Sequence, residues 1–125
     1  MIKSEIIKEK DLIVHTSTGE ITLDEIKNII EDFYAQKQLP ALNVIWDFTK
    51  AVYQNPDVQK IRDLAERINQ MSHSRQGGKT AVVVASDLYY GLGRIYQAHS
   101  ENYNQIAPVM IFRSLQDATS WIVQS

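Results

Sequence analysis

The chain has no cysteine, so thiol nucleophiles, disulfide bridges and cysteine-bound metals are excluded, and a reducing compartment suits it. It has no basic run, and its formal charge is only -2. Nucleic acid is therefore not expected as a partner, because phosphate contacts need clustered Lys and Arg. Long apolar runs are missing too. The longest, "AVVVA" from Ala81 to Ala85, is far short of the ~20 residues that cross a bilayer, and "MIKSEIIKEKD" holds no run of signal-peptide length. These absences predict a cytoplasmic protein with no cofactor. Hydrophobic residues at 44% and charged residues at 22% of 125 positions predict one globular domain over residues 1–125.

Hydrophobic periodicity then orders the chain. Ile6 and Ile7, then Leu12, Ile13 and Val14, flank the charged "KEKD" and read as two short strands in a hairpin, the second ending at Gly19. Thr22 and Glu25 form a capping-box pattern ahead of a helix with Leu23, Ile26, Ile29, Ile30 and Phe33 on one face. Pro40 closes that segment. "ALNVIWDF" reads as a buried central strand, and Val58 to Met71 as a second amphipathic helix. "SRQGG" is a loop before the β-branched strand "KTAVVVAS". A third helix follows from about Asp87 to Tyr103. After Pro108 come the strand "VMIF" and a last helix capped by Ser114. The order β-β-α-β-α-β-α-β-α predicts an α/β fold: a mixed, mostly parallel sheet of about five strands with an N-terminal antiparallel hairpin and four helices.

Two stretches look like nucleotide sites and fail on position. "GGKT" ends like a phosphate-binding loop, but His73 stands where the first glycine belongs, and a strand follows instead of a helix. "GLGRIY" resembles a dinucleotide fingerprint, but Gly91 and Gly93 lie well past the strand, and Tyr96 replaces the third glycine. Both glycines fall inside the third helix, where each costs about 0.5–1 kcal/mol relative to alanine. Close packing or ligand access is therefore sought as the cause.

The three histidines, His15, His73 and His99, share no metal-binding spacing. His15 is expected at an edge or exposed, and His99 at the margin of the core. Asp47, at the end of the central strand, either caps the following turn with Thr49 or occupies the place where α/β proteins put chemistry.

On the third helix, Leu88, Leu92, Ile95 and His99 make one stripe, taken as core-facing. Tyr89, Gly93, Tyr96, Ser100 and Tyr103 make a second, with Tyr90 and Arg94 one step further out. Large rings alternate with small residues along it. Either the tyrosines border the core, or they line a groove for an apolar ligand, a membrane face or a partner helix.

"STGEITLDEI", "NVIWDFT", "KTAVVVASDLYYGLGRIYQ" and "MIFRSLQDATSWI" together resemble the small bacterial SpoIIAA-like proteins of the STAS/SEC14 superfamily over nearly the whole chain. The resemblance implies a mixed sheet carrying helices and a shape similar to lipid-binding CRAL-TRIO domains. It also implies a non-enzymatic role in binding an apolar or amphiphilic ligand or a membrane surface, for which the third-helix stripe offers Tyr89, Tyr90, Gly93, Arg94, Tyr96 and Tyr103 as binding residues. The implied alternative is a protein-interaction regulator similar to anti-sigma-factor antagonists. Those are switched at a serine that follows an aspartate at the start of the helix after the central strand. Here Asp57 is followed by Val58, and no serine or threonine occurs from Ala51 through Met71. Candidate partners are thus an apolar small molecule or lipid, a protein, or a second copy of the chain in a homodimer.

Overall fold

The computed structural model describes residues 1–36, 41–54, 57–71, 78–102 and 108–124. Five strands and four helices follow in the expected order: β1 (Ile2–Ile7), β2 (Leu12–Ile21), α1 (Leu23–Tyr34), β3 (Asn43–Tyr53), α2 (Val58–Met71), β4 (Thr80–Val83), α3 (Asp87–Asn102), β5 (Val109–Phe112) and α4 (Leu115–Val123). The strands form one sheet in the order β1-β2-β3-β4-β5. β1 and β2 are antiparallel, and every later neighbour is parallel.

The "KEKD" turn is a single 3₁₀ turn closed by Asp11 in the left-handed region at φ 50°. Aspartate tolerates that conformation because its side chain bonds locally. Here the Leu42 amide donates to Asp11 Oδ1 at 3.1 Å, tying the turn to the start of β3. Gly19 does not end β2 as expected. It lies inside the strand at φ 72°, and pairing with β3 continues to Ile21. Caps act as the sequence suggests: Thr22 Oγ1 accepts from the Glu25 amide and Ser114 Oγ from the Asp117 amide, both at 3.1 Å.

Parallel neighbours need crossovers, and crossovers share one hand. With strand order equal to chain order, that hand puts α1, α2 and α3 on the same face of the sheet. The core divides accordingly. On the three-helix face lie Ile13, Val44, Trp46, Phe48, Val84 and Ile111 of the sheet with Ile26, Ile30, Phe33 and Ile68 of the helices. On the other face α4 stands alone, packing Ala118 and Ile122 against Leu12, Ile45, Ala81 and Val83.

Candidate functional site

A cavity of about 80 Å³ lies between the sheet and the three-helix layer. Trp46, Phe48, Thr80, Val82, Val84 and Ile111 form its floor. Ile26, Ile30, Ile61, Leu64, Ile68 and Leu92 form most of its roof. Tyr53, Tyr89 and Tyr96 close its sides. The lining is almost wholly apolar, as ligand sites are, but such sites are usually of about 300–1,000 Å³.

The tyrosine stripe faces inward, and the phase of α3 is corrected. Leu88, expected in the core, is 63% exposed. Tyr89 and Tyr96 pack on the core, and Ser100 is buried. The Tyr53 amide donates to the Tyr89 hydroxyl at 3.1 Å, and the two rings meet edge to face at 4.7 Å. Burial first, and the neighbouring Tyr89 phenol second, push the Tyr53 phenol well above its ordinary range.

Gly93 borders the cavity, and its place has a packing cause. A Cβ there would stand 3.1–3.3 Å from three side-chain atoms of Ile111 on β5. Nothing in the structure explains Gly91, where a Cβ would meet open space. Tyr90 turns to the end of the sheet, where the Arg113 guanidinium lies over its ring at 4.5 Å. Arg94 is exposed. Tyr103 lies outside the described residues.

Asp47 and Thr49 are not brought to this cavity. Ile45 belongs to the α4-side core and Trp46 to the three-helix side, so strand alternation turns Asp47 to the α4 side. Asp47 is not at a strand end either. Thr16 pairs with Asp47 and Thr18 with Lys50, so Ser17 alone faces Phe48 and Thr49, and β3 runs on past this bulge to Tyr53. Asp47 Oδ1 accepts from the Thr49 amide at 3.0 Å and the Thr49 hydroxyl at 2.7 Å, which fastens the bulge.

His15 is also corrected. It is buried, stacks on Trp46 at 4.2 Å, and its Nδ1 lies 2.7 Å from Ser4 Oγ. Lys79 of "GGKT" has a structural partner at the far end of the chain. Its ammonium donates to the Trp121 carbonyl at 2.9 Å and the Gln124 carbonyl at 2.8 Å, where the C-terminus of α4 carries negative partial charge.

The rim at the C-terminal ends of the strands was not singled out from sequence. The helices that follow β3, β4 and β5 each carry an exposed aliphatic residue in the first turn: Val58 at 38%, Leu88 at 63% and Leu115 at 45%. Tyr53 on Tyr89 joins the end of β3 to α3, and an Arg113–Asp87 ion pair of 2.7 Å joins the end of β5 to α3. α2 starts directly after Asp57, whose Oδ1 accepts from the Gln59 amide at 2.7 Å. Its first residue is therefore Val58, with no hydroxyl. Among the described residues, no His or acidic cluster could hold a metal, and no helix is long and apolar enough to cross a membrane.

No family model matches the sequence, and no curated protein matches it. Among solved structures, the chain is similar to an anti-sigma factor antagonist from Mycobacterium paratuberculosis, with a TM-score of 0.57 at 12% identity. The match covers 99% of this chain and 96% of that one. At that identity the likeness is one of fold, and the chain has the SpoIIAA-like STAS fold.

Proposed function

We propose that the chain is a non-enzymatic protein-interaction regulator whose partner docks on the rim formed by the starts of α2, α3 and α4. The observation that carries this reading is the row of exposed aliphatic residues, Val58, Leu88 and Leu115, each in the first turn of a helix that starts at the same end of the sheet. In open α/β sheets ligands bind outside the carboxyl ends of the strands, the end at which this rim lies. The fold shared with an anti-sigma factor antagonist supports a protein as the partner, with an anti-sigma factor as the class to try first. Regulation does not run through a phosphoserine at the head of α2, because Val58 holds that place.

Calorimetric titration against the anti-sigma factors of its own organism tests the reading. Val58→Glu and Leu88→Glu place acid at helix N-termini, where the dipole favours it, so both keep the fold. Both are expected to remove binding, while Val123→Glu at the other end of α4 keeps it. Absence of binding, or binding indifferent to the rim changes, overturns the reading.

The cavity favours a second reading, a bound apolar molecule. At about 80 Å³ it suits a fragment of a few heavy atoms, and an acyl chain enters only if α2 and α3 part. Trp46 lines it and reports on filling. A shift of Trp46 fluorescence with a small hydrocarbon or a fatty acid, lost in Gly93→Leu, is the expected sign. Flotation with vesicles tests a peripheral membrane role.

A further inference from the structure

We propose that two copies of the chain join through the outer edges of their β1 strands, antiparallel and with Ser4 opposite Ser4, into one continuous sheet with five strands from each copy. β1 is an edge strand, and an edge presents unpaired backbone groups to any strand that fits. The phase of those groups is fixed. The Thr18 amide donates to the Met1 carbonyl at 2.9 Å, so Met1 belongs to a hydrogen-bonded pair with β2. In an antiparallel ladder such pairs alternate. Lys3, Glu5 and Ile7 therefore turn their amides and carbonyls to β2, and Ile2, Ser4 and Ile6 turn theirs outward.

A two-fold pairing must set outward residues opposite outward residues. Centred on Ser4, it places Ile2 against the second copy's Ile6, and Ser4 against Ser4. Lys3 then stands directly opposite the second copy's Glu5, twice over. Neighbouring registers of the same phase centre on Lys3 or on Glu5, and set lysine on lysine or glutamate on glutamate, which repel. The charge pattern "IKSEI" thus selects a single register and names a second copy as the occupant. Ile6, 46% exposed, is covered by the second copy's Ile2 in that arrangement. Lys3 and Glu5 form no ion pair among the described residues, so both are free to make these contacts.

The interface is short and the dimer is expected to be weak, visible in the micromolar to millimolar range by sedimentation or light scattering. Lys3→Glu sets glutamate against glutamate, and Glu5→Lys sets lysine against lysine. Each is expected to raise the dissociation constant about tenfold or more, with far-UV circular dichroism unchanged. An equimolar mixture of the two single variants restores every opposite-charge pair and is expected to associate. The double variant Lys3→Glu/Glu5→Lys is expected to dimerise like the parent, and added salt to weaken all of these dimers. A parent chain that stays monomeric across the range overturns the proposal. So does a dimer that ignores the single charge changes, or a mixture that fails to associate.

Discussion

The two faces of the sheet are packed by different means. The three-helix face carries Trp46, Phe48, Phe33 and the tyrosines of α3, and a cavity lies among Trp46, Phe48, Tyr53, Tyr89 and Tyr96. The α4 face is built from Ala81, Ala118, Val83, Ile45 and Ile122, with Ala81 and Ala118 fully buried. Small residues let α4 sit close on the strands, and Lys79 pins its last turn. One crossover hand explains the asymmetry: three helices share one face and must fit one another as well as the sheet, whereas α4 needs to fit only the sheet. Close packing resists change of any size, while a void accepts added volume and not its removal.

Truncation on the close-packed face should have the largest effect. Ile45 is fully buried there, and Ile45→Ala is expected to cost about 2–5 kcal/mol in urea unfolding. Enlargement should then separate the faces by sign. Ala118→Leu beneath α4 is expected to cost roughly 1–3 kcal/mol by overpacking. Val82→Ile, which adds one carbon beside the cavity, is expected to stabilise by up to about 0.8 kcal/mol. Equal signs for the two would mean that the faces do not differ in packing.

Gly93 tests the point where the three-helix face is tight despite the void. Gly93→Ala gains about 1 kcal/mol of helix propensity but sets a Cβ 3.1–3.3 Å from Cγ2, Cδ1 and Cγ1 of Ile111, so the Ile111 side chain must give way. A net loss of about 1 kcal/mol is expected in chemical denaturation, and a stabilised variant would show that Ile111 yields into the cavity. The smallest effect belongs to the α4 clamp. Lys79→Met is expected to lose about 0.3–1 kcal/mol at low salt, and calorimetry with ATP should show no binding before or after the change.

Element order, the central strand and the caps at Thr22 and Ser114 were legible in the sequence because each rests on local spacing. What was hidden depended on partners distant in the chain. His15 alternates with Val14 and Thr16, and on a strand covered from both sides alternation cannot tell a buried polar residue from an exposed one. Its burial comes from Trp46 and Phe33. Asp47 resembled a strand end because the bulge that carries β3 onward depends on Ser17 of β2. The stripes on α3 differ by one residue, and it takes the contacts of the folded chain, such as the burial of Ser100 and the close approach of Ile111 to Gly93, to show which faces the sheet. The rim was missed because single exposed aliphatic residues carry no signal until topology gathers them at one end.

Strand order equal to chain order also bears on how the molecule assembles. Each strand from β2 onward docks on the strand made just before it, so the sheet can grow by addition from the N-terminal hairpin without waiting for a distant segment. Each parallel closure spans one crossover helix, from Leu12 to Asn43, from Val44 to Thr80 and from Thr80 to Val109, an order that suits a chain emerging N-terminus first. The exception is the Lys79 clamp, which spans 42 residues to Trp121 and 45 to Gln124. It cannot form until α4 has been added, so the last helix acts as a latch, and slowed or truncated synthesis should leave a sheet with one bare apolar face.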